Sequence, residues 1–346
     1  MPWSRVIPDS LEPAGFACEK GQRILTWAEA TREALVQAMS LDPSVFVMGQ
    51  GVDDPAGMFG ATKDLHKDFG RRRVFDTPLS ETALTGVAVG AAQAGMRPVY
   101  FHNRPDFLCL AMDQLVNHAA KWAFMFSGKV PVPMVTWACI GRGWGGAAQH
   151  SQALQGLFAH TPGLKVCMPA TCYDAKGLML AAIKDNNPVL ILDHRFNFKS
   201  KGLVPEAPYA VALGKGIVRR AGADVTLVTF SHLVSEAWQA AALLEKEGID
   251  VELFDPRSIR PFDKEGLLQS LRKTGRLVVA DTGWKTGGIT AEVAALAATE
   301  GFSYLKAPVG RVATPDMPTP AGHTLEAEFY VGVEAICQAI KEVCVA

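Results

Sequence analysis

The chain has 346 residues, 49% of them hydrophobic and 20% charged, with a formal net charge of −1 at pH 7. Such a chain exceeds one average domain and carries ample apolar material, so two domains are the default expectation. Near-neutral charge without a basic run argues against nucleic acid and anionic membrane as partners, and no apolar run approaches the ~20 residues of a membrane span.

Residues 1–22 read as an arm, with Pro, Gly and charge mixed and no periodicity. Glu12 and Glu19 within it argue against a signal peptide. Seven cysteines form no CxxC pair, which fits reduced thiols in a cytoplasmic setting. Cys167 and Cys172 resemble half a metal site, but no second pair completes it.

From Ile24 the pattern is α/β. A helix is expected from Thr26 to about Ser40, then a buried strand over Val45–Gly49. A short strand at Val74–Phe75 leads into Asp76-Thr77-Pro78-Leu79-Ser80-Glu81. The helix that follows, Thr82–Gly95, is rich in Ala, Gly and Val on every face, which predicts burial, and Gly86-xxx-Gly90 lets another backbone approach closely. Next come a strand at Pro98–Phe101, a long helix at Leu108–Met125 and a strand at Val132–Ile140. Strands at Leu164–Met168 and Val189–Leu192 flank a helix over Ala175–Lys184. Residues 201–213 read as a linker between units spanning 23–200 and 214–346.

The second unit repeats the alternation. Strands are expected at Val225–Phe230, Val251–Phe254, Leu277–Ala280 and Tyr304–Pro308, and helices at Val234–Glu247, Lys264–Arg272 and Thr290–Thr299. Strands alternating with helices imply two parallel sheets, each covered on both faces.

Gly141-Arg-Gly-Trp-Gly-Gly146 fits the dinucleotide pattern G-x-G-x-x-G after a strand. The fingerprint also requires a following helix and an acid ~20 residues on; the next strand ends at Met168-Pro169-Ala170 without one, and Trp144 would crowd the turn. A nucleotide-dependent oxidoreductase is therefore the weaker reading, and a tight loop approached by a ligand or partner the stronger.

Three features point to chemistry. Glu81 leads a nearly apolar helix. As a first-turn acid it would add a few tenths to ~1 kcal/mol through the helix dipole. A capping box on Ser80 would place its acid at Ala83, so that explanation fails. A partly desolvated carboxylate has a raised pKa and suits proton sharing. The second feature is Phe101-His-Asn-Arg-Pro-Asp-Phe107, a strand end opening into a loop, where parallel sheets bind ligands; Phe107 alone would read as core. The third is Ala147-Ala-Gln-His150-Ser-Gln152. A lone His is more often structural than catalytic.

Together, Asp76–Glu81, the Gly86/Gly90 helix, Ala111-Met-Asp-Gln114, Ala147–Gln152 and Asp185-Asn-Asn-Pro188 resemble the beta subunit of the decarboxylase component of 2-oxoacid dehydrogenase complexes, in the transketolase superfamily. Asp255-Pro-Arg-Ser-Ile-Arg-Pro-Phe262 and Trp284-Lys-Thr-Gly-Gly288 are similar to its C-terminal domain, and the resemblance runs from about Gly21 to the end. It implies a thiamine diphosphate pyrimidine-binding domain, a transketolase-type C-terminal domain and an α2β2 assembly with the cofactor between subunits.

On this resemblance Glu81 matches the glutamate that hydrogen-bonds N1′ of the aminopyrimidine, favouring the imino tautomer that takes the thiazolium C2 proton. Phe107 falls on the aromatic against that ring, and His150 on the histidine facing substrate or acyl acceptor. Gln50 and His102 fall among the cofactor-binding positions. Met134, Ala182, Ile183, Asp185 and Asn187 lie where mainly backbone carbonyls hold a structural potassium ion; read alone, Asp185–Pro188 is an ordinary Asn-Pro turn. The Mg²⁺ and diphosphate need a Gly-Asp-Gly, which this chain lacks and the alpha subunit supplies. A lipoyl acyltransferase is a further expected partner.

The pattern departs from the family at Gln50, where an acid is usual, and at His102-Asn-Arg-Pro105 and His194-Arg195, where members are more apolar. Polar or cationic groups there suit a substrate with hydroxyls or an anionic group. A 2-oxoacid is the default substrate, and a sugar-like ketol donor the alternative. A non-catalytic scaffold would be signalled by loss of Glu81 or Phe107, and both are present.

Overall fold

The structure is a computed structural model that describes residues 23–141 and 145–345. The arm expected over residues 1–22, and Arg142, Gly143 and Trp144 of the glycine loop, lie outside the described residues. The elements run β1 (Ile24–Thr26), α1 (Trp27–Leu41), β2 (Val45–Gly49), α2 (Leu65–Phe69), β3 (Val74–Phe75), α3 (Glu81–Gln93), β4 (Arg97–His102), α4 (Pro105–Leu108), α5 (Ala120–Met125), β5 (Val135–Ile140), α6 (Ala147–His150), α7 (Gln155–Ala159), β6 (Lys165–Cys167), α8 (Cys172–Lys184), β7 (Val189–His194) and β8 (Lys201–Leu203). The second half holds β9 (Ile217–Arg220), β10 (Val225–Thr229), α9 (Leu233–Glu245), β11 (Val251–Asp255), β12 (Ser258–Arg260), α10 (Lys264–Thr274), β13 (Leu277–Trp284), α11 (Ile289–Glu300), β14 (Gly310–Thr314), α12 (His323–Phe329) and α13 (Val333–Val345).

Local chemistry sets these boundaries. Thr26 caps α1 in a reciprocal box, its hydroxyl accepting from Glu29 N and its own N–H donating to the Glu29 carboxylate, the pattern that satisfies two orphan donors. Thr171 and Asp174 do the same for α8. Asp263 caps α10, which ends at Gly275 in the left-handed conformation, as a helix stop requires.

Seven strands form the first sheet in the order β12-β6-β7-β5-β4-β2-β3, and five the second, β14-β13-β10-β11-β9. All pairs are parallel except β12 with β6 and β11 with β9. β2, β5, β7, β10 and β11 are buried along their whole length, as strands covered on both faces must be. This is the expected two-sheet α/β architecture.

Three details differ from expectation. Lys201–Leu203, at the start of the segment read as a linker, pairs antiparallel with Ile24–Thr26. The strand expected at Tyr304–Pro308 instead runs over Gly310–Thr314, beyond Pro308; a proline lacks the N–H a central ladder needs. The helix expected over Leu108–Met125 starts at Pro105 and winds wide, in π geometry, over Asp113–Ala119.

The two sheets are joined by a buried ion cluster. Arg219 of β9 pairs with Asp174 of α8 and, at 2.9 Å, with Asp255; Arg257 approaches Asp174 at 3.0 Å. All four side chains are 0–1% exposed. Burial works against ionised Asp174, but Arg219 and Arg257 outweigh it and hold the carboxyl below its usual range.

Candidate active site at the carboxyl edge of the first sheet

Glu81 is the first residue of α3, after the Pro78–Ser80 turn, and Ser80 makes no side-chain cap bond. A capping box on Ser80 is therefore absent, and Glu81 stands as the first-turn acid of the helix. It borders a narrow hollow, about 10 Å³ in volume, whose walls include Gln50 after β2, Tyr100 and His102 on β4, and Phe107 on α4. β2 and β4 are adjacent and parallel, so these residues gather beyond carboxyl ends, where such sheets bind ligands. Glycine is required at the end of β2: at Gly49, with φ +143°, a β-carbon would collide with the Phe101 carbonyl.

Helix α3 corrects one expectation. It is not buried all round: Thr82, Ala83 and Gly90 are exposed, and Val87 is 56% exposed beside Leu79 at 76%. Its other face, with Thr85, Ala88, Val89 and Ala92, packs inward. Among the described residues an apolar stripe of α3 beside the hollow is thus exposed.

His102 is 4% exposed, with Nε2 3.5 Å from Thr85 Oγ1 and its ring 4.1 Å from that of Tyr100. Burial pushes its pKa down to about 3, so it is neutral and contributes polarity but no charge. The Tyr100 phenol is pushed up to about 12, chiefly by burial and then by the Glu81 charge. Gln50 does not stand alone, because its Oε1 accepts from Asn103 Nδ2 at 3.0 Å.

Phe107 and His150 come together, ring centroids 5.3 Å apart at 77°, an edge-to-face geometry. His150 is exposed at the end of the short helix α6, and Ala147 at its start adopts φ +54°. Asp106 ties the two segments: its Oδ1 accepts from Gln152 Nε2 at 2.8 Å and from Gln152 N at 3.2 Å. Burial raises the Asp106 pKa against these two bonds. Asp106 and Asn103 were not marked as site residues by sequence reasoning. Their only signal was position in the loop after β4.

The expected potassium ligands lie at the opposite, amino edge of β5 and β7. There Arg97 Nη1 donates to the carbonyls of Ile183 at 2.9 Å and Asp185 at 3.0 Å. The Met134 carbonyl accepts from Val189 N, the Ala182 carbonyl from Asp185 N, and Asn187 N donates to Asp185 Oδ1. Lys165 pairs with the Asp185 carboxylate. The Ile183 and Asp185 carbonyls meet at Arg97, which already supplies positive charge to them, as Lys165 does to the Asp185 carboxylate. Among the described residues no group of three or more His, Cys, Asp or Glu is placed to hold a metal ion.

Comparison with known proteins agrees with the two-sheet α/β fold. The pyrimidine-binding domain of transketolase matches residues 23–201 and the transketolase C-terminal domain residues 214–336. The acetoin:2,6-dichlorophenolindophenol oxidoreductase subunit beta of Bacillus subtilis is 41% identical, covering 89% of this chain and 93% of its own. The mitochondrial pyruvate dehydrogenase E1 component subunit beta-2 of Oryza sativa is also 41% identical, covering 96% and 89%, and the 2-oxoisovalerate dehydrogenase subunit beta of Bacillus subtilis 39%, covering 92% and 98%. A solved structure described as a split gene transketolase, an inactive beta4 tetramer, shares the fold with a TM-score of 0.74 at 24% identity, over 93% of this chain and 98% of that one. The chain belongs to the transketolase superfamily and, within it, to the family of 2-oxoacid and acetoin dehydrogenase beta subunits.

Proposed function

We propose that this chain is the beta subunit of a cytoplasmic thiamine diphosphate-dependent 2-oxoacid dehydrogenase, with units 23–200 and 214–346 joined through 201–213. The observation that carries it is an uncapped helix-leading glutamate facing a hollow that also holds Phe107. The residues lining that hollow suit half a cofactor: they offer an acid and aromatic walls for an aminopyrimidine. The diphosphate and its Mg²⁺ fall to an alpha chain in an α2β2 assembly, because no Gly-Asp-Gly is present here. The uncovered stripe of α3 suits that partner.

When bound, thiamine diphosphate supplies a carbon nucleophile and an electron sink for decarboxylation. Glu81 holds and shares a proton at the aminopyrimidine ring nitrogen. Phe107 fixes the ring by packing, while Gln50 and neutral His102 complete the wall. His150, leaning on Phe107, faces substrate or the lipoyl group of an acyltransferase partner. A potassium ion on the carbonyls of Met134, Ala182, Ile183, Asp185 and Asn187 would be a structural aid, alongside Arg97. The amides of Gln50 and Asn103 at the hollow favour a hydroxylated ketol donor as the second reading.

The test is co-purification with the native alpha chain, followed by turnover of 2-oxoacids and ketose phosphates with thiamine diphosphate and Mg²⁺. Glu81→Gln is expected to leave the assembly intact and lower kcat by ~10²-fold or more. Normal turnover in that variant would sink the assignment.

A further inference from the structure

Two arginines flank one point above the first sheet. Arg104 follows β4 by two residues and Arg195 follows β7 directly, while Gly141 directly follows β5, the strand between them. A β-carbon built on Gly141 would collide with Arg104 Nη1 and lie 3.1 Å from Arg195 Nη1. Glycine at 141 leaves room for both guanidinium groups, and a β-carbon there would push the end of Arg104 aside. This gives the first residue of the glycine-rich run a physical reason without a nucleotide.

Arg195 is 6% exposed, and burial, reinforced by the charge of Arg104, lowers its pKa to about 10. Packing two like charges together away from water costs free energy. Among the described residues Glu326 lies near Arg195 and Asp106 near Arg104. The pair stands on the same carboxyl edge as the hollow, Arg104 next to Asn103, which lines it. His102 is neutral, and among the described residues Arg104 and Arg195 bring cationic character to this edge. Planar guanidinium groups match carboxylate and phosphoryl oxygens by paired hydrogen bonds.

We propose that Arg104 and Arg195 form an oxyanion-recognition pair, restricting the substrate to one that carries a carboxylate or phosphoryl group held over Gly141. This rests on the proposed catalytic reading for the identity of the site, and deepens it by naming the substrate class. It sets the chain apart from any beta subunit whose substrate is a neutral ketol such as acetoin.

The experiment is calorimetric titration of the cofactor-loaded α/β assembly with inorganic phosphate, with oxamate as an unreactive carboxylate, and with neutral acetoin. At least one oxyanion is expected to bind, phosphate pointing to a phosphoryl substrate and oxamate to a carboxylate. Arg104→Gln and Arg195→Gln should each weaken it tenfold or more, with the lysine variants intermediate. Gly141→Ala keeps both charges but displaces Arg104, and should weaken the oxyanion at least fivefold even if a glutamine variant fails to fold. Acetoin affinity should be unchanged throughout. The proposal is overturned if neither oxyanion binds the wild type, if Gly141→Ala binds as the wild type does, or if acetoin loses affinity in parallel. Because no turnover is read, the outcome stands even where Glu81→Gln disproves the catalytic reading.

Discussion

The ring of His150 meets the ring of Phe107 edge to face, centroids 5.3 Å apart, although the two residues belong to separate loops of the sheet edge. Asp106 holds them in register through Gln152. Phe107→Ala is expected to weaken thiamine diphosphate binding to the α/β assembly by roughly tenfold, the order of an aromatic contact of 0.5–1.5 kcal/mol plus lost burial. His150→Ala should leave that affinity within about twofold and lower kcat by ~10²-fold. Cofactor titration monitored by fluorescence separates the two, and a His150→Ala enzyme with full kcat would make the histidine structural.

How much of this was legible follows from what each signal requires. Val45–Gly49 and Val225–Thr229 are short, wholly apolar runs, and both are fully buried strands. β12 is only three residues long and joins the first sheet from the second half of the chain, too short for any period to show. Helix α13 went unmarked although Ile336, Ile340 and Val343 recur at helical spacing and are buried; that signal was present. The site was legible where residue type and position sufficed, as at Glu81. The Asp106–Gln152 link and the convergence of Arg104 with Arg195 depend on strand order, which no local spacing carries.

Gly90 tests the partner surface. A β-carbon there meets nothing within 4 Å among the described residues, so on the proposed function the close approach that the Gly86/Gly90 spacing permits is left to the alpha chain. Gly90→Ala should stabilise the isolated chain by up to ~1 kcal/mol, since alanine is the better helix former. Gly90→Leu should leave its melting temperature near that of the wild type and abolish co-assembly with the alpha chain. Sedimentation of the mixed subunits is the measurement; assembly of the leucine variant at wild-type affinity would place the interface elsewhere.

Asp193 carries a pH signature. It is fully buried and its Oδ2 accepts from Trp137 Nε1 at 2.8 Å and Trp27 Nε1 at 3.3 Å, yet burial raises its pKa to about 6. A carboxyl whose pKa is higher folded than unfolded binds more protons in the native state, so its contribution to stability is full below pH ~4 and is lost as pH rises through about 6. Asp193→Asn removes that titration. Between pH 4 and 7 its melting temperature should fall less with rising pH than that of the wild type, and an unchanged slope would contradict the assignment.

Asp174 serves two structures at once, capping α8 through Thr171 and joining the ion cluster with Arg219 and Arg257. Removing one partner of a buried ion group leaves charge uncompensated, typically costing 3–5 kcal/mol, whereas replacing the whole group by apolar residues can be neutral. Loss of the helix-cap box adds about 1 kcal/mol. Asp174→Ala should therefore lose about 4–6 kcal/mol in denaturant unfolding. A protein of ordinary marginal stability would then be largely unfolded or split into separate transitions for its two sheets. Thr171→Ala, which breaks the cap and leaves the ion cluster in place, should cost about 1 kcal/mol and keep a single transition. Since the cluster lies between the sheets and away from the hollow, Thr171→Ala should also retain wild-type kcat in the assembly. Equal losses in the two variants would show that the ion cluster contributes nothing beyond the cap.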